Sequence, residues 1–128
     1  MSHFSYLETM FQNLFYLKKT LDKENIVCKF KQVTDQNLKT VQTNLIIPQS
    51  NNNDIEFNWN NGEYELIVDQ DFWTYPYPVE TFKNKISKQY AEEIVIGEGQ
   101  KMGFQPIKNQ KNGDGSSTIT LERCSTKV

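Results

Sequence analysis

The sequence predicts a single two-layer α+β domain over residues 1–128, with an antiparallel-rich sheet of five to seven strands and two main helices on one face. Three observations predict it. A chain of 128 residues has the length of one domain and can bury about two thirds of its unfolded surface. Asn61-Gly62 separates two alternating apolar runs, as in a hairpin. Apolar residues after Pro78 recur at helical spacing.

The hairpin around Asn61-Gly62 is the most fully specified element. This dipeptide tolerates the positive φ angles of a type I′ turn, whose twist matches that of the paired strands. A two-residue loop sets the register and brings three apolar pairs to one face: Trp59 with Tyr64, Phe57 with Leu66, and Ile55 with Val68. We therefore expect that face to meet the helices.

The N-terminal segment supports two interpretations. Ser5 and Glu8 form a capping-box pattern before apolar residues at helical spacing, which predicts one helix from about Tyr6 to Lys23. The alternative is a strand over Phe4–Met10, with Asn13 capping a shorter helix from Leu14 to Lys23. Periodicity by itself favours the longer helix.

Four further strands are predicted. Ile26–Lys31 alternates, with Ile26, Cys28 and Phe30 on one face. Leu38–Ile47 is rich in β-branched residues and is followed by proline. Phe104–Gln110 and Ser117–Arg123 flank a glycine-containing loop and form a second hairpin, whose register the longer loop leaves open.

The second main helix is predicted to begin at Pro78, because proline suits the first helical position. Its apolar face comprises Val79, Phe82, Ile86 and Tyr90. The helix can extend to Met102, although Gly97 and Gly99 each weaken it by about 1 kcal/mol relative to alanine. Gly103 marks the expected C-terminal stop. Three acidic residues are predicted to form a solvated face: Glu92, Glu93 and Glu98.

Charge and composition argue against several classes of protein. The net charge is −2 and Arg123 is the only arginine, so no nucleic-acid partner is expected, and RNA binding by sheet aromatics is a weak third hypothesis. No apolar run approaches the roughly 20 residues that span a bilayer, so no membrane insertion is expected. The N-terminus does not resemble a signal peptide. Cys28 and Cys124 are expected to be unpaired, largely buried side chains.

Chemistry-bearing residues are sparse. His3 is the only histidine, and together with two distant cysteines it makes a poor zinc site, so no catalytic residue, metal or cofactor is predicted. Asp69, Asp71 and Glu80 are the best candidates for a small carboxylate- or metal-dependent enzyme. The competing interpretation makes them solvated bend residues, with Glu80 favoured by the helix dipole.

An aromatic bend precedes the second helix and is the candidate binding site: Phe72, Trp73, Tyr75 and Tyr77. Tyrosine and tryptophan are enriched at recognition surfaces. The same rings could instead close the open end of the core as a lid. We therefore hypothesise a non-catalytic interaction or accessory protein, with the enzyme as the alternative.

Several motifs resemble one family in their order and spacing: Met1-Ser2-His3-Phe4-Ser5, Phe57-x-Trp59, Gly62-x-Tyr64-Glu65-Leu66, Asp69-x-x-Phe72-Trp73, Val79-Glu80-x-Phe82, Tyr90-Ala91 and Gly103-Phe104-Gln105. Nearly the whole chain is similar to the hypothetical chloroplast reading frame family numbered thirty-five. That resemblance implies a plastid-encoded protein of algae with cyanobacterial relatives and no established activity. It also implies a chloroplast location, for which we expect the stroma. Under the interaction hypothesis, the expected partner is then another plastid protein. Finally, it favours the strand interpretation near Tyr6–Phe11, whereas Gly97 and Gly99 depart from the more helical relatives and leave the length of the second helix open.

Overall fold

The fold is α+β, as predicted. A computed structural model describes residues 3–124. Its strands are β1 (Phe4–Glu8), β2 (Lys29–Asp35), β3 (Thr40–Ile47), β4 (Ile55–Asn60), β5 (Glu63–Asp69), β6 (Phe104–Lys111) and β7 (Ser117–Arg123). Its helices are α1 (Leu14–Lys23) and α2 (Val79–Lys101), with one 3₁₀ turn at Gln70–Phe72. Strands β1 to β5 form an antiparallel sheet in the order β1-β5-β4-β3-β2, and β6 and β7 pair separately.

The β4–β5 hairpin has the predicted register. Trp59 lies opposite Tyr64 and Phe57 opposite Leu66. The turn residues Asn61 and Gly62 have φ angles of 51° and 91°, as a type I′ turn requires. Local turn chemistry and one apolar face were sufficient to specify this ribbon.

The N-terminal segment follows the strand interpretation, so the long helix and its Ser5–Glu8 capping box are wrong. Strand β1 pairs with β5 along its whole length. Asn13 then caps α1, because its side chain accepts a hydrogen bond from the Tyr16 backbone N–H at 3.1 Å. Pairing with β5 satisfies backbone groups at the sheet edge, and this tertiary gain overrides the helical periodicity.

Strand β2 begins three residues later than predicted. Ile26 belongs instead to the C-terminal end of α1, where its backbone N–H donates to the Leu21 carbonyl at 2.9 Å after Asn25 takes a positive φ of 58°. Ile26 and Cys28 still pack against the core, from the connection that precedes the strand. The predicted shared face of Ile26, Cys28 and Phe30 is therefore wrong. The first two precede the strand and are half-buried, whereas Phe30 lies within β2 and is 54% exposed.

The core lies between α1, α2 and the inner face of the sheet. The buried sheet residues are Leu45, Ile47, Ile55, Phe57, Tyr64, Leu66 and Val68. The buried helical residues are Tyr16, Leu17, Leu21, Val79, Phe82, Ile86 and Tyr90. The predicted apolar faces of the hairpin and of α2 therefore meet each other, as expected.

Helix α2 continues through both internal glycines. Pro78 is the N-cap of α2, one residue before the position predicted for it. Gly103 follows the end of α2 and has a φ of 88°, as predicted for a C-terminal stop of the helix. The β6–β7 hairpin packs on α2 and does not extend the main sheet. Across residues 3–124, no helix combines the length and apolar character needed to cross a bilayer.

Candidate functional site

The aromatic bend, defined as Phe72, Trp73, Tyr75 and Tyr77, lies over the N-terminal end of α2. The Trp73 ring meets Phe82 edge-on at 5.3 Å between centroids, and Tyr75 lies 5.2 Å from the same ring. Tyr75 also contacts Trp73 at 5.1 Å and Tyr77 at 5.7 Å. Three of the four rings thus form a continuous row, and two of these three rest on Phe82, which is fully buried.

Hydrogen bonds fix the bend in position. The indole N–H of Trp73 donates to the Tyr77 carbonyl at 2.7 Å. The Phe72 carbonyl accepts from the side-chain amides of Gln49 and Asn51 at 3.2 and 2.8 Å. Because these amides belong to the β3–β4 connection, the bend is tied to the sheet as well as to α2.

The bend is only partly covered. Trp73, Tyr75 and Tyr77 are half-buried, whereas Phe72 is 41% exposed. Burial, and then the neighbouring Tyr77, raise the pKa of Tyr75, so its phenol stays neutral. The geometry therefore combines a lid over Phe82 with an outward aromatic surface.

The three candidate carboxylates, Asp69, Asp71 and Glu80, occupy different environments and do not form one site. Asp69 is buried, and its Oδ1 accepts from the backbone N–H groups of His3 and Asp71 at 3.0 and 3.1 Å. It therefore caps the 3₁₀ turn, while Asp71 and Glu80 are exposed. In the part of the chain that the structure describes, no three or more His, Cys, Asp or Glu side chains are placed to hold a metal ion.

The predicted solvated face of α2 is wrong for two of its three glutamates. Glu92 and Glu93 are 5% and 1% exposed, and only Glu98 faces solvent. Lys111 of β6 lies 2.7 Å from Glu92, and Lys23 of α1 lies 2.8 Å from Glu93. Helix α2 is covered on two sides, by α1 and by the terminal hairpin, so adjacent acidic residues each meet a different partner.

The hairpin changes the titration of Glu92. Burial by itself would raise the pKa of this carboxyl, but hydrogen bonds from Lys111, Ser117 and Asn109 hold it below the ordinary value of 4.5. The side chain is thus held ionised as an anchor for the hairpin. The sequence of α2 contains no signal for this contact, because the partners come from a later hairpin.

The cysteines are both free thiols. Cys28 is half-buried, and burial raises its pKa. Cys124 is exposed, which corrects the prediction that both would be largely buried.

Comparison with known proteins identifies the family. Residues 20–120 match the family described as "Protein of unknown function (DUF1257)". A protein of Trieres chinensis named "Uncharacterized protein ycf35" is 54% identical over 95% of this chain and 100% of its own length. Proteins of the same name from Guillardia theta and Cyanophora paradoxa are each 37% identical over 96% of this chain and 98% of their own lengths. The chain belongs to the ycf35 family.

Membership of the ycf35 family confirms the resemblance seen in the sequence and supports a plastid location. No solved structure matches the chain. The names of these ycf35 relatives assign no activity, so the geometry described above is the basis for the proposed function.

Proposed function

We propose that the chain is a non-catalytic interaction or accessory module of the plastid stroma that docks another plastid protein through the aromatic bend. The observation that carries this proposal is the bend itself, in which four aromatic residues within six positions are partly exposed. Ring contacts and one hydrogen bond hold the rings of Trp73, Tyr75 and Tyr77, and two side-chain amides hold the backbone of Phe72.

Rigid exposed aromatics suit recognition for an energetic reason. Binding costs about 0.5–1.5 kcal/mol for each flexible side chain that it immobilises. Trp73 and Tyr75 are already held against Phe82, so most of that cost is met during folding. Tryptophan and tyrosine also dominate binding hot spots, because they bring large apolar area together with a polar group.

The surroundings of the bend indicate the chemistry of the partner. Phe72 is the most exposed of the four rings, so it is suited to enter an apolar pocket on the partner. Asp71 and Glu80 are exposed beside the bend in sequence and supply an acidic rim. A partner with an apolar pocket flanked by lysine or arginine would be complementary to this surface.

The test is affinity capture from plastid extract with the purified chain and matched variants, followed by mass spectrometry. Phe72→Ala removes the exposed ring and should abolish recovery of a defined partner. Phe15→Ala is the control, because Phe15 is an aromatic residue on α1 that is 65% exposed and distant in sequence from the bend. Trp73→Ala should also abolish capture, with circular dichroism used to check that the variant is folded.

Two results would contradict the proposal. One is the absence of any partner recovered reproducibly with the wild-type chain. The other is equal recovery with Phe72→Ala and Phe15→Ala, which would show that the bend makes no contribution.

A small carboxylate- or metal-dependent enzyme is the alternative, and one observation favours it. The Oδ2 atom of Asp69 is buried and has no hydrogen-bond partner among the described residues. A bound cation would satisfy this oxygen. Titration with Mn²⁺, followed by paramagnetic broadening of NMR signals near Asp69, tests the idea. Broadening that is absent, or that persists in Asp69→Asn, rules it out.

A further inference from the structure

A cavity of about 510 Å³ opens between the end of β1 and α2, a region that sequence reasoning did not single out. Its size lies within the roughly 300–1,000 Å³ typical of small-molecule sites. The side chains that matter for its chemistry are Glu8, Met10, Glu63, Lys83, Tyr90 and Ile94. The cavity is not lined by any residue of the aromatic bend, so it is a separate feature.

Hydrogen bonds and ring packing hold two of the lining residues, Phe11 and Tyr90, in place. The Phe11 carbonyl accepts the Tyr64 backbone N–H at 2.8 Å. The Tyr90 hydroxyl oxygen accepts from the backbone N–H groups of Gln12 and Asn13 at 3.1 and 3.0 Å. The rings of Phe11 and Tyr90 pack with centroids 4.7 Å apart. The connection between β1 and α1 is thereby tied to both the sheet and α2, so the cavity is formed before any ligand arrives.

Three charged side chains line the cavity without neutralising one another. Within residues 3–124, neither Glu8, Glu63 nor Lys83 belongs to an ion pair. Both negatively charged carboxylates and a positively charged ammonium group of the cavity lining therefore remain available to a ligand. Such a set matches a molecule that carries both an ammonium and a carboxylate.

Tyr90, which also lines the cavity, carries a hydroxyl group whose proton has no acceptor among the described residues. Its side chain is 6% exposed, and its oxygen already accepts two backbone hydrogen bonds. The hydroxyl proton is donated to no residue of the described chain, although a buried phenol normally finds an acceptor. A ligand oxygen in the cavity would provide that acceptor.

We propose that this cavity binds a short apolar peptide with free termini. Its ammonium would face Glu8 and Glu63, and its carboxylate would face Lys83 and the Tyr90 hydroxyl. Its side chains would contact the apolar wall, including Met10 and Ile94. Met10 is 83% exposed without a ligand, so it has a large apolar area to bury on binding.

The probe is the dipeptide leucyl-phenylalanine, added to the full chain carrying ¹³C-methyl methionine. The Met10 methyl signal should shift saturably. The Met102 methyl, which is also exposed but does not line the cavity, should stay unchanged and serves as the internal control. The N-acetylated dipeptide and the C-terminal amide each remove one charge and should bind at least about tenfold more weakly.

Variants of the lining residues test which charged side chain recognises each terminus of the dipeptide. Lys83→Met should weaken binding of the free dipeptide by about tenfold or more while leaving the affinity for the amide unchanged. Lys85→Met is the control on the same helix, since Lys85 lies outside the cavity, near Glu24 and the Tyr77 ring. If Lys83→Met does not fold, Glu63→Gln tests the other terminus, with selective loss expected for the free dipeptide over its N-acetylated form.

The proposal is overturned if the Met10 methyl does not respond to the free dipeptide. It is also overturned if the blocked dipeptides bind as tightly as the free one. Neither result bears on the aromatic bend, whose test uses capture of a protein partner and a different set of variants.

Discussion

Gly97→Ala should destabilise the protein even though alanine is the better helix former. A Cβ atom at residue 97 would lie 2.3 Å from Tyr16 Cε1, 2.5 Å from its Oη and 2.7 Å from its Cζ. Tyr16 is 3% exposed, so its ring has no free space into which it can move. The glycine therefore permits the close approach of α1 and α2.

The magnitude follows from two opposing terms. Overpacking by one methyl group costs about 1–3 kcal/mol, and three contacts this short place Gly97→Ala at the upper end. The gain in helix propensity returns about 1 kcal/mol. The net loss should be about 1–2 kcal/mol, which corresponds to a decrease in Tm of about 4–8 °C for a chain of this length.

The test compares the free energies of unfolding in urea, and the Tm values, of Gly97→Ala and Gly99→Ala with those of the wild type. A Cβ at residue 99 would meet the Leu121 Cδ1 atom at 2.9 Å, and this flexible, half-buried side chain can yield. Gly99→Ala should therefore be nearly neutral. In a Tyr16→Leu background, Gly97→Ala should become neutral or stabilising. Equal effects of the two alanines in the wild-type background, or a stabilising Gly97→Ala, would refute the reasoning.

Three further predictions concern the hairpins and the aromatic bend. The folded-state pKa of Glu92 is lowered, so its contribution to stability is present above its unfolded pKa near 4.5 and is lost as pH falls through the folded value. Thermal unfolding from pH 7 to pH 3 should show this loss, and Glu92→Gln should reduce the pH dependence of the Tm. If the Tm of Glu92→Gln depends on pH as strongly as that of the wild type, Glu92 does not anchor the hairpin as an ionised side chain. Gly62→Ala should cost about 1 kcal/mol in urea unfolding, since φ is 91° and no atom lies within 4 Å of the added methyl, leaving only backbone strain. Trp73→Phe removes the 2.7 Å hydrogen bond to Tyr77 and should cost about 1 kcal/mol; an unchanged unfolding midpoint would argue against that bond.

For the aromatic bend, the local sequence predicted which residues form the candidate surface but not the contacts that hold them. The order of rings and prolines marked Phe72 to Tyr77 as the candidate surface. The contacts with Phe82 and the amides of Gln49 and Asn51 could not be predicted, because they depend on how α2 and the β3–β4 connection approach the bend.

The cavity beside α2 gave no signal in the sequence. Glu8, Glu63 and Lys83 lie far apart along the chain and each resembles an ordinary surface charge. Only the pairing of β1 with β5 and the position of α2 bring them around one space.

The sequence by itself determined the elements whose causes are local. The Asn61-Gly62 turn, the face shared by Trp59 and Tyr64, and the stop at Gly103 each depend on residues within a few positions. Only the tertiary structure decided that β1 is a strand and that Glu92 is buried, because the partners in β5 and β6 are distant in the chain. Local propensities differ by about 1 kcal/mol or less per residue, so satisfying a sheet edge or a buried charge outweighs them.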